Sequence, residues 1–470
     1  MSSTKVDIVA EDYKEKYGFS DPIDGYAVKG IKGLSERVIQ EISRLHDEPA
    51  WMEQLRMKAL KHFLDKKVPA WAPELGDIDY QSFYYYAAPT KTAANSWDQL
   101  PDYIKRTYDK LGITDAEKKF LAGVGAIYES EAVYHSIQGE LAKQGVVFTD
   151  TVTALKEYPE LMKKYFGTVV PYQDNFIAAL QTAVWSAGSF VYVPEGVKVN
   201  MPLQAYFRIN ERNMGQFERT LIIGEPYSEV NYIEGCTAPV YSSQSLHSAI
   251  VEIVARKASL VKYATLQNWS RDVLNLVTKR AHAYEEATVS WVDFNGGSRL
   301  TRKYPSIYLL GPRAKADIIS VAYAGAGQVQ DTGGKAIHLA KDTTSKIISR
   351  SVSKDGGHTA YRGLLHIAKG ARNVKSSVRC DALLIDEKST TATYPYMEIQ
   401  EDDATVTHEA SVGKVGEEQL FYLMSRGISD SDALSMVVNG FLEPFTKELP
   451  MAYAVEFNRL MSLEMTNTVG

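Results

Sequence analysis

The sequence predicts a mainly β protein built around a β-solenoid, with helical segments before and after it. A turn of charged and small residues followed by an alternating strand recurs eight times, and successive starts are 27 to 32 residues apart. Repetition at a fixed period of this size is typical of stacked repeats, and each unit offers two or three strands but no helix. The alternative is a large sandwich with regular hairpins. The eight recurring turns argue against it, because they lack the Asn-Gly and Asp-Gly dipeptides that tight hairpins favour.

Changes in the hydrophobic pattern along the chain divide it into three predicted domains. Helical periodicity gives way near Val169 to short runs rich in Val, Ile, Tyr and Thr, and it returns near Gly413. We therefore predict a mostly helical domain over 1–168, the solenoid over 169–414 and a helical domain over 415–470. The N-terminal helices are expected at 34–66, 97–111, 114–143 and 151–166. The eight repeats begin at Pro194, Glu225, Arg256, Glu285, Pro312, Lys341, Lys369 and Glu401.

Composition excludes several classes of protein. The net charge of −6 over 470 residues gives no general attraction to nucleic acid or to anionic lipid. The start lacks the apolar core of a signal peptide, and the most apolar stretch, 176–188, is too short to span a bilayer. Two cysteines do not make a disulfide framework, so we expect a reducing, cytoplasmic setting. No G-x-x-x-x-G-K-[ST] loop is present, so ATP hydrolysis is not expected from this chain alone.

The C-terminal tail is amphipathic and apolar for its length. Ser429 opens a helix with capping-box spacing, and a last helix begins near Leu449. Two interpretations stay open: the tail packs on its own solenoid, or it docks a partner.

Cys380 and the adjacent pair His408 and Glu409 form the first candidate site. His408 and Glu409 follow Cys380 by 28 and 29 positions, about one repeat, so a solenoid places them on the coil next to that of Cys380. Thiolate, imidazole and carboxylate suit iron, and mixed Cys/His ligation of iron–sulfur centres is known. Strand alternation puts His408 on the face of Cys380 and Glu409 on the other, unless a bulge reverses this. The alternative is a buried structural cysteine beside a core histidine.

Cys236 is the second candidate. Arg208 and Asn210 precede it by about one repeat, and Gln267 and Trp269 follow it by about one repeat. A cationic, hydrogen-bonding neighbourhood favours the thiolate, which is the reactive form of cysteine. Chance stacking is the alternative, because any period aligns some residues.

Longer stretches identify a family. They are PLQAYFRIN at 202–210, GQFERTLII at 215–223, VNYIEGCTAP at 230–239, YSSQSLHSA at 241–249, QNWS at 267–270, NLVTKRA at 275–281, SSVRCDALL at 376–384, HEASV at 408–412, QLFYLMSRG at 419–427 and ELPM at 448–451. On these residues the chain resembles the SufB/SufD family of the SUF iron–sulfur cluster assembly machinery, and its SufB branch more than SufD. The resemblance is dense from about residue 200 to the C-terminus and loose before it.

The resemblance implies a fold and a set of partners. It implies a right-handed parallel β-helix between N-terminal and C-terminal helical domains. It also implies a SufC-type ATPase docked on the C-terminal helices and a SufD paralogue or second SufB copy paired through the β-helix. Sulfur is then expected from a persulfide donor, a cysteine desulfurase or its sulfur carrier.

The resemblance also implies roles for residues. Cys236 corresponds to the acceptor of persulfide sulfur, and Cys380, Glu409 and His408 correspond to the site of the nascent iron–sulfur cluster. The implied sulfur-transfer path is lined by Arg208, Asn210, Gln267, Trp269 and Lys279.

The expected function is a scaffold for cluster assembly, not an enzyme. The cluster is transient, and reduced flavin (FAD) is associated with SufB-containing complexes, although the chain carries no flavin motif. One alternative is a SufD-like structural partner, in which the thiols are dispensable. Another is a carbohydrate-active enzyme with the same β-helix architecture. Such an enzyme is expected to have a signal sequence and a groove lined by paired acids.

Overall fold

The computed structural model describes residues 28–88, 123–208, 214–237, 245–449 and 451–465. Two large sheets dominate it, and from residue 203 onwards the chain alternates between them, so that each coil adds one rung to each sheet. One rung of the first sheet is divided into two short strands, at 300–303 and 306–309. The pairing is parallel throughout this region, and the predicted parallel β-solenoid is confirmed.

Strands are numbered in chain order. A short antiparallel pair, β1 Val28–Lys29 and β2 Ala87–Ala88, stands apart from the two sheets. The first sheet contains β5 Val147–Asp150, β6 Ser189–Val193, β8 Gly215–Gly224, β10 Ser245–Ala255, β12 Val273–Ala283, β14 Leu300–Lys303, β15 Ser306–Leu309, β17 Val329–His338, β19 His358–Ile367 and β21 Thr390–Ile399. The second sheet contains β3 Gly123–Tyr128, β4 Glu131–Ile137, β7 Leu203–Arg208, β9 Glu229–Thr237, β11 Leu260–Trp269, β13 Thr288–Gly297, β16 Lys315–Ala324, β18 Thr344–Ser353, β20 Lys375–Leu384 and β22 Thr405–Lys414.

The recurring turn has a backbone reason. In seven of the eight repeats its second or third residue adopts a positive φ, between 53° and 91°. This left-handed region is disfavoured for L side chains, so its recurrence at nearly the same offset marks a turn with a fixed backbone geometry. These residues are Gly196, Tyr227, Ala258, Glu286, Arg313, Asp342 and Gly370.

The space between the sheets is filled by stacked side chains. Because the strands pair in register, like residues stack on like: Ile318 lies opposite Ile347, and Ile347 lies opposite Val378. These three are buried in one continuous interior core with aromatic residues such as Trp291. Removing this apolar surface from water is the main force holding the coils together.

N-terminal helices cover the outer face of the first sheet. They are α1 Glu36–Leu45, α2 Ala50–Asp65, α3 Gly139–Lys143, α4 Thr151–Glu157, α5 Pro159–Tyr165 and α6 Phe176–Val184, with a 3₁₀ turn at Pro73–Gly76. Every residue of α6 is buried, and Asn175 caps it by accepting a hydrogen bond from the Ala178 N–H. Leu246 and Leu276 of the sheet join the core beneath these helices.

One N-terminal prediction is wrong. A helix was expected over 114–143, but β3 and β4 occupy 123–137, and among the described residues 123–143 only α3 is helical. β3 pairs with β7, so the solenoid supplies hydrogen-bond partners that the local pattern does not reveal. The helix expected over 97–111 lies outside the described residues. The division at 168/169 and 414/415 stays a prediction.

C-terminal helices cover the outer face of the second sheet. They are α7 Glu417–Ser425, α8 Asp430–Thr446 and α9 Met451–Met465. Ser429 caps α8 as predicted, accepting a hydrogen bond from the Asp432 N–H. In α8 and α9 the packing alternative holds: Phe457 lies 4.9 Å from the Phe294 ring of β13, measured between ring centroids. In contrast, α7 buries no residue and leaves Phe421 70% exposed. No helix in the described ranges is long and apolar enough to cross a membrane.

Candidate functional site

Cys236 lies on β9 with its side chain in the solenoid interior, where it is 3% exposed. Gln267 of β11 is its partner on the next rung, as the repeat spacing predicts, and the Gln267 Nε2 lies 4.0 Å from the sulfur. Arg208 is buried at the end of β7, opposite Thr237 instead of Cys236. Asn210 lies outside the described residues.

Two buried carboxyl groups accompany Cys236. The thiol donates a hydrogen bond to Glu234 Oε1 at 3.4 Å, and Glu218 reaches the same point from β8 in the opposite sheet. One oxygen of each acid and the sulfur all lie within 4.8 Å of one another. Burial first, then the charges of Glu234 and Glu218, raise the pKa of Cys236 well above its usual value. This direction is opposite to the expectation of a favoured thiolate.

Two buried lysines lie deeper in the solenoid. Lys279 on β12 donates to Asp293 Oδ1 at 2.9 Å, and Lys303 on β14 lies 3.7 Å from the same oxygen. Burial raises the pKa of Asp293, but the two lysines and a hydrogen bond from Thr265 outweigh it and hold the pKa low. Burial lowers the pKa of Lys303 to about 8. Lys279 was predicted to line the path; Lys303 was missed.

An aromatic and an imidazole ring close the site beside Gln267. Trp269 is buried, and its ring centroid lies 4.5 Å from that of His247 on β10. His247 Nδ1 is 2.7 Å from Asn275 Oδ1, and burial lowers the pKa of this histidine to about 4, so its ring is neutral at pH 7.

Polar side chains continue from this site along the second sheet. Six of them are consecutive register partners, which we call the polar ladder: Glu234, Thr265, Asp293, Ser320, Ser349 and Cys380. All six are buried. The first sheet adds Lys303, Thr332 and Tyr361, which are also consecutive register partners. The ladder takes five strand steps from β9 to β20, and five steps of about 4.8 Å span roughly 24 Å.

Cys380 ends the polar ladder on β20 and is 5% exposed. Its burial raises the thiol pKa to about 12, the Tyr361 hydroxyl beside it opposes this rise, and Asp381 adds to it. The thiol therefore lies in a buried environment with two hydroxyl neighbours, Tyr361 and its register partner Ser349.

His408 and Glu409 lie on β22, next to β20, as predicted. The pairing is regular, with His408 opposite Val378 and Glu409 opposite Arg379, and shows no bulge. His408 thus shares the sheet face of Cys380, whereas Glu409 is on the other face, 73% exposed and 3.9 Å from Arg379 Nη1. The alternation argument is confirmed, and the bulge that would have reversed it is not found in β20 or β22.

The Cys380 end of the solenoid is open. β21 and β22 are the last strands of the two sheets, so each has a neighbour on one side only. They expose apolar side chains, namely Tyr394, Tyr396, Ile399 and Val412. Exposed strand edges with apolar residues mark a surface for pairing with another chain.

Several residues of the Cys236 site were missed, namely Glu218, Glu234, His247, Asp293 and Lys303. A signal was present: Glu234 has the inward parity of Cys236, and Asp293 and Lys303 lie on inward positions of later coils. If the alternation of inward and outward positions had been followed for charged residues as well as for cysteines, it would have found Glu234, Asp293 and Lys303.

Comparison with known proteins gives a consistent result. The family described as "SUF system FeS cluster assembly, SufBD core domain" matches residues 207–441, and "SufBD protein N-terminal region" matches residues 125–205. An iron–sulfur cluster assembly SufBD family protein of Staphylococcus saprophyticus is 53% identical over 455 residues, 97% of this chain and 98% of its own length. Proteins of the same description from Staphylococcus epidermidis and from Staphylococcus aureus (strain MRSA252) are each 54% identical over 459 residues, 98% of both chains.

Proposed function

Because the chain belongs to the SufBD family of SUF-system iron–sulfur cluster assembly proteins, we propose that it is a SufB-type scaffold on which clusters are built. One observation carries the proposal: the chain has two cysteines, one beside the first rung of the polar ladder and the other on its last rung. A purely structural subunit has no need of a buried polar route between two thiols, because unsatisfied polar groups cost stability. Family membership leaves the carbohydrate-active alternative without support.

Sulfur enters at Cys236 in this proposal. A persulfide donor, a cysteine desulfurase or its carrier, transfers its outer sulfur to the Cys236 sulfur and leaves as a thiol. Glu234, which accepts the hydrogen bond of the Cys236 thiol, is placed to take the proton that this attack releases. Arg208, Gln267, Trp269 and Lys279 line the start of the path, and Asn210 stays in the prediction as a fifth member.

The cluster forms at the open end. Cys380 and His408 share a face on neighbouring strands and offer a thiolate and an imidazole to iron. Glu409 faces away from Cys380, so it joins the site only when β22 changes its pairing on contact with a partner. Iron and sulfide are the substrates here, and the transient cluster is the product.

Two partner proteins complete the proposed assembly complex. A SufC-type ATPase docks on α7 and hydrolyses the ATP, so the chain itself is a scaffold and not an enzyme. A SufD paralogue or a second SufB copy pairs with the open end at β21 and β22. The described residues contain no glycine-rich strand-to-helix turn of the dinucleotide-binding kind, so no step is assigned to FAD. We place the process in the cytoplasm.

The test is the iron and sulfide content of complexes purified anaerobically from cells. We expect Cys380→Ala to abolish cluster build-up, and His408→Ala and Glu409→Ala to reduce it. Ser376→Ala is the matched control, because Ser376 is a buried side chain on the same strand and also loses one polar atom. Normal iron and sulfide in both Cys380→Ala and Cys236→Ala would contradict the scaffold role and favour a SufD-like structural partner.

A further inference from the structure

Four buried side chains from three consecutive strands lie at or beside the Cys236 site. Glu218 comes from β8, Glu234 and Cys236 come from β9, and His247 comes from β10, and all four are 3% exposed or less. The sulfur, one Glu218 oxygen and one Glu234 oxygen lie within 4.8 Å of one another. His247 Nε2 lies 3.4 Å from Glu218 Oε1.

A chain of hydrogen bonds starting at Lys303 fixes the orientation of these groups. The Lys303 ammonium has only donors, so the Gln267 atom 3.2 Å from it is the amide oxygen. That oxygen also accepts from Asn275 Nδ2 at 2.9 Å, so the other Asn275 atom, which faces His247 Nδ1 at 2.7 Å, is an oxygen. His247 Nδ1 therefore carries the imidazole proton.

The tautomer leaves a lone pair on His247 Nε2, and that lone pair faces a carboxyl group. No donor within the described residues reaches His247 Nε2 or either Glu218 oxygen. A protonated Glu218 would not resolve this, because 3.4 Å is too long for an O–H···N hydrogen bond. Buried acceptors facing one another without a donor are costly, and a bound cation removes that cost.

The geometry points to a binding site for one divalent first-row transition-metal ion, held by Cys236, Glu218, Glu234 and His247, and we propose it as such. Mixed sulfur, nitrogen and oxygen donors suit Fe²⁺, Co²⁺ and Zn²⁺ and do not suit Mg²⁺ or Ca²⁺. Two ligands of one such ion lie at most about 4.5 Å apart, so the two 3.4 Å separations fit. His247 contacts Glu218 but lies outside the group of three whose ligand atoms are within 4.8 Å of one another, so its ring must rotate toward the sulfur to join the site.

The hydrogen-bond chain also provides what metal-binding histidines require. A ligating imidazole normally donates its other N–H to a fixed acceptor, which sets the tautomer and the ring orientation. Asn275 Oδ1 has this role here, and the register places Asn275 opposite His247 on the neighbouring strand. Asn275 is a positioning residue and does not contact the ion.

Metal binding at this site involves no redox step. The ion forms a bond to the Cys236 sulfur and displaces the thiol proton to solvent, and any carboxyl proton leaves in the same way. A coordinated thiolate cannot accept donor sulfur at the same moment, so metal and persulfide compete for Cys236. The metal site shares this residue with the proposed function but does not rest on sulfur delivery.

The test uses Co²⁺ as the probe and the full-length Cys380→Ala chain, in which Cys236 is the only thiol. Anaerobic titration is expected to give a thiolate-to-cobalt charge-transfer band that saturates at one Co²⁺ per chain. In the same background, Glu218→Gln and His247→Gln are each expected to weaken binding at least tenfold, and Asn275→Leu is expected to weaken it less. Glu229→Gln, a half-exposed acid on the same strand as Cys236, is the matched control and keeps full affinity.

Each outcome of the titration either supports or overturns the proposed metal site. Absence of the band in the Cys380→Ala chain overturns the inference, as does unchanged affinity in both Glu218→Gln and His247→Gln. If a variant does not fold by circular dichroism, X-ray absorption of the Zn²⁺-loaded Cys380→Ala chain replaces it and is expected to show one sulfur neighbour; none would overturn the site. The titration needs no sulfur donor or partner, so its failure is distinct from a failure of cluster assembly in cells.

Discussion

Cys236 and Cys380 occupy equivalent positions in the solenoid, but different groups surround their thiols. Each is an inward residue on a strand of the second sheet, and five strand steps separate them. At Cys236 the coil is covered on both outer faces by helices, and two acids reach the thiol inside. At Cys380 one strand separates the thiol from an open end, and the hydroxyl of Tyr361 interacts with it. Position along the axis, more than local sequence, therefore decides the chemistry of each thiol.

The largest contrast concerns buried charge. Asp293→Asn leaves Lys279 and Lys303 buried without their shared carboxylate, and breaking a buried ion pair typically costs about 3–5 kcal/mol. Glu409→Gln at the open end removes an exposed pair with Arg379, and no measurable change in unfolding free energy is expected. Urea unfolding of both variants tests this; equal losses would contradict the contrast.

A second contrast concerns pH. The pKa of Lys303 is lowered from 10.5 to about 8, so between these values the unfolded chain binds a proton that the folded chain lacks. The contribution of Lys303 to stability therefore rises with pH across this window, by at most about 3 kcal/mol. Lys303→Met is expected to lose this rise, as measured by unfolding at pH 7.5 to 10.5. Lys375→Met, a solvent-facing lysine on the strand of Cys380, is the control and is expected to keep it.

The third contrast lies within the tail. Phe421→Ser on the exposed α7 is expected to weaken binding of a SufC-type ATPase at least tenfold, with the melting temperature unchanged. Met436→Ser, an exposed residue on α8, is the matched control and is expected to bind normally. Deleting everything after Ser429 is a less clear test, because it would uncover Phe294 on the second sheet. Full ATPase binding by Phe421→Ser would place the docking surface elsewhere.

The smallest expected effect is on thiol accessibility. Both cysteines are buried, but only one edge strand shields Cys380, and edge strands open locally at low cost. N-ethylmaleimide is therefore expected to label Cys380 several-fold faster than Cys236, as read by peptide mass spectrometry. The denatured chain, in which both thiols are exposed, gives the reference. Faster labelling of Cys236 would show that the covered coil is the more mobile one.

Much of the fold could be read from the sequence because the solenoid repeats its own turn chemistry. One residue with positive φ recurs at nearly the same offset, so the period is visible without knowledge of the packing. The strands over 123–137 could not be read in this way, since β3 pairs with β7, about 80 residues away, and β4 pairs with β3. The tail sequence also could not show that α8 packs and α7 stays exposed, because this depends on the face of the second sheet, whose residues lie elsewhere in the chain.

The site was only partly predictable, for a related reason. Alternation placed His408 on the face of Cys380, and the repeat placed Gln267 beside Cys236. Charged residues such as Glu218 look like solvent-facing positions in an alternating strand, and only closure of the coil makes their face the interior. Burial of Cys236 and, after it, the charges of Glu234 and Glu218 raise the pKa of this thiol, and the burial of Glu218 beside it depends on closure of the coil.

The most direct test of the central claim is a map of persulfide sulfur on the two cysteines after incubation with a persulfide donor. If sulfur enters at Cys236 and is used at Cys380, Cys380→Ala accepts sulfur on Cys236 but holds no cluster. Cys236→Ala then takes no donor sulfur, yet still binds a cluster supplied as iron and sulfide under anaerobic conditions. The separation of roughly 24 Å excludes a direct disulfide between the two thiols, which needs Cα atoms within about 7 Å. Normal acceptance of donor sulfur at Cys380 in the Cys236→Ala chain would contradict the account.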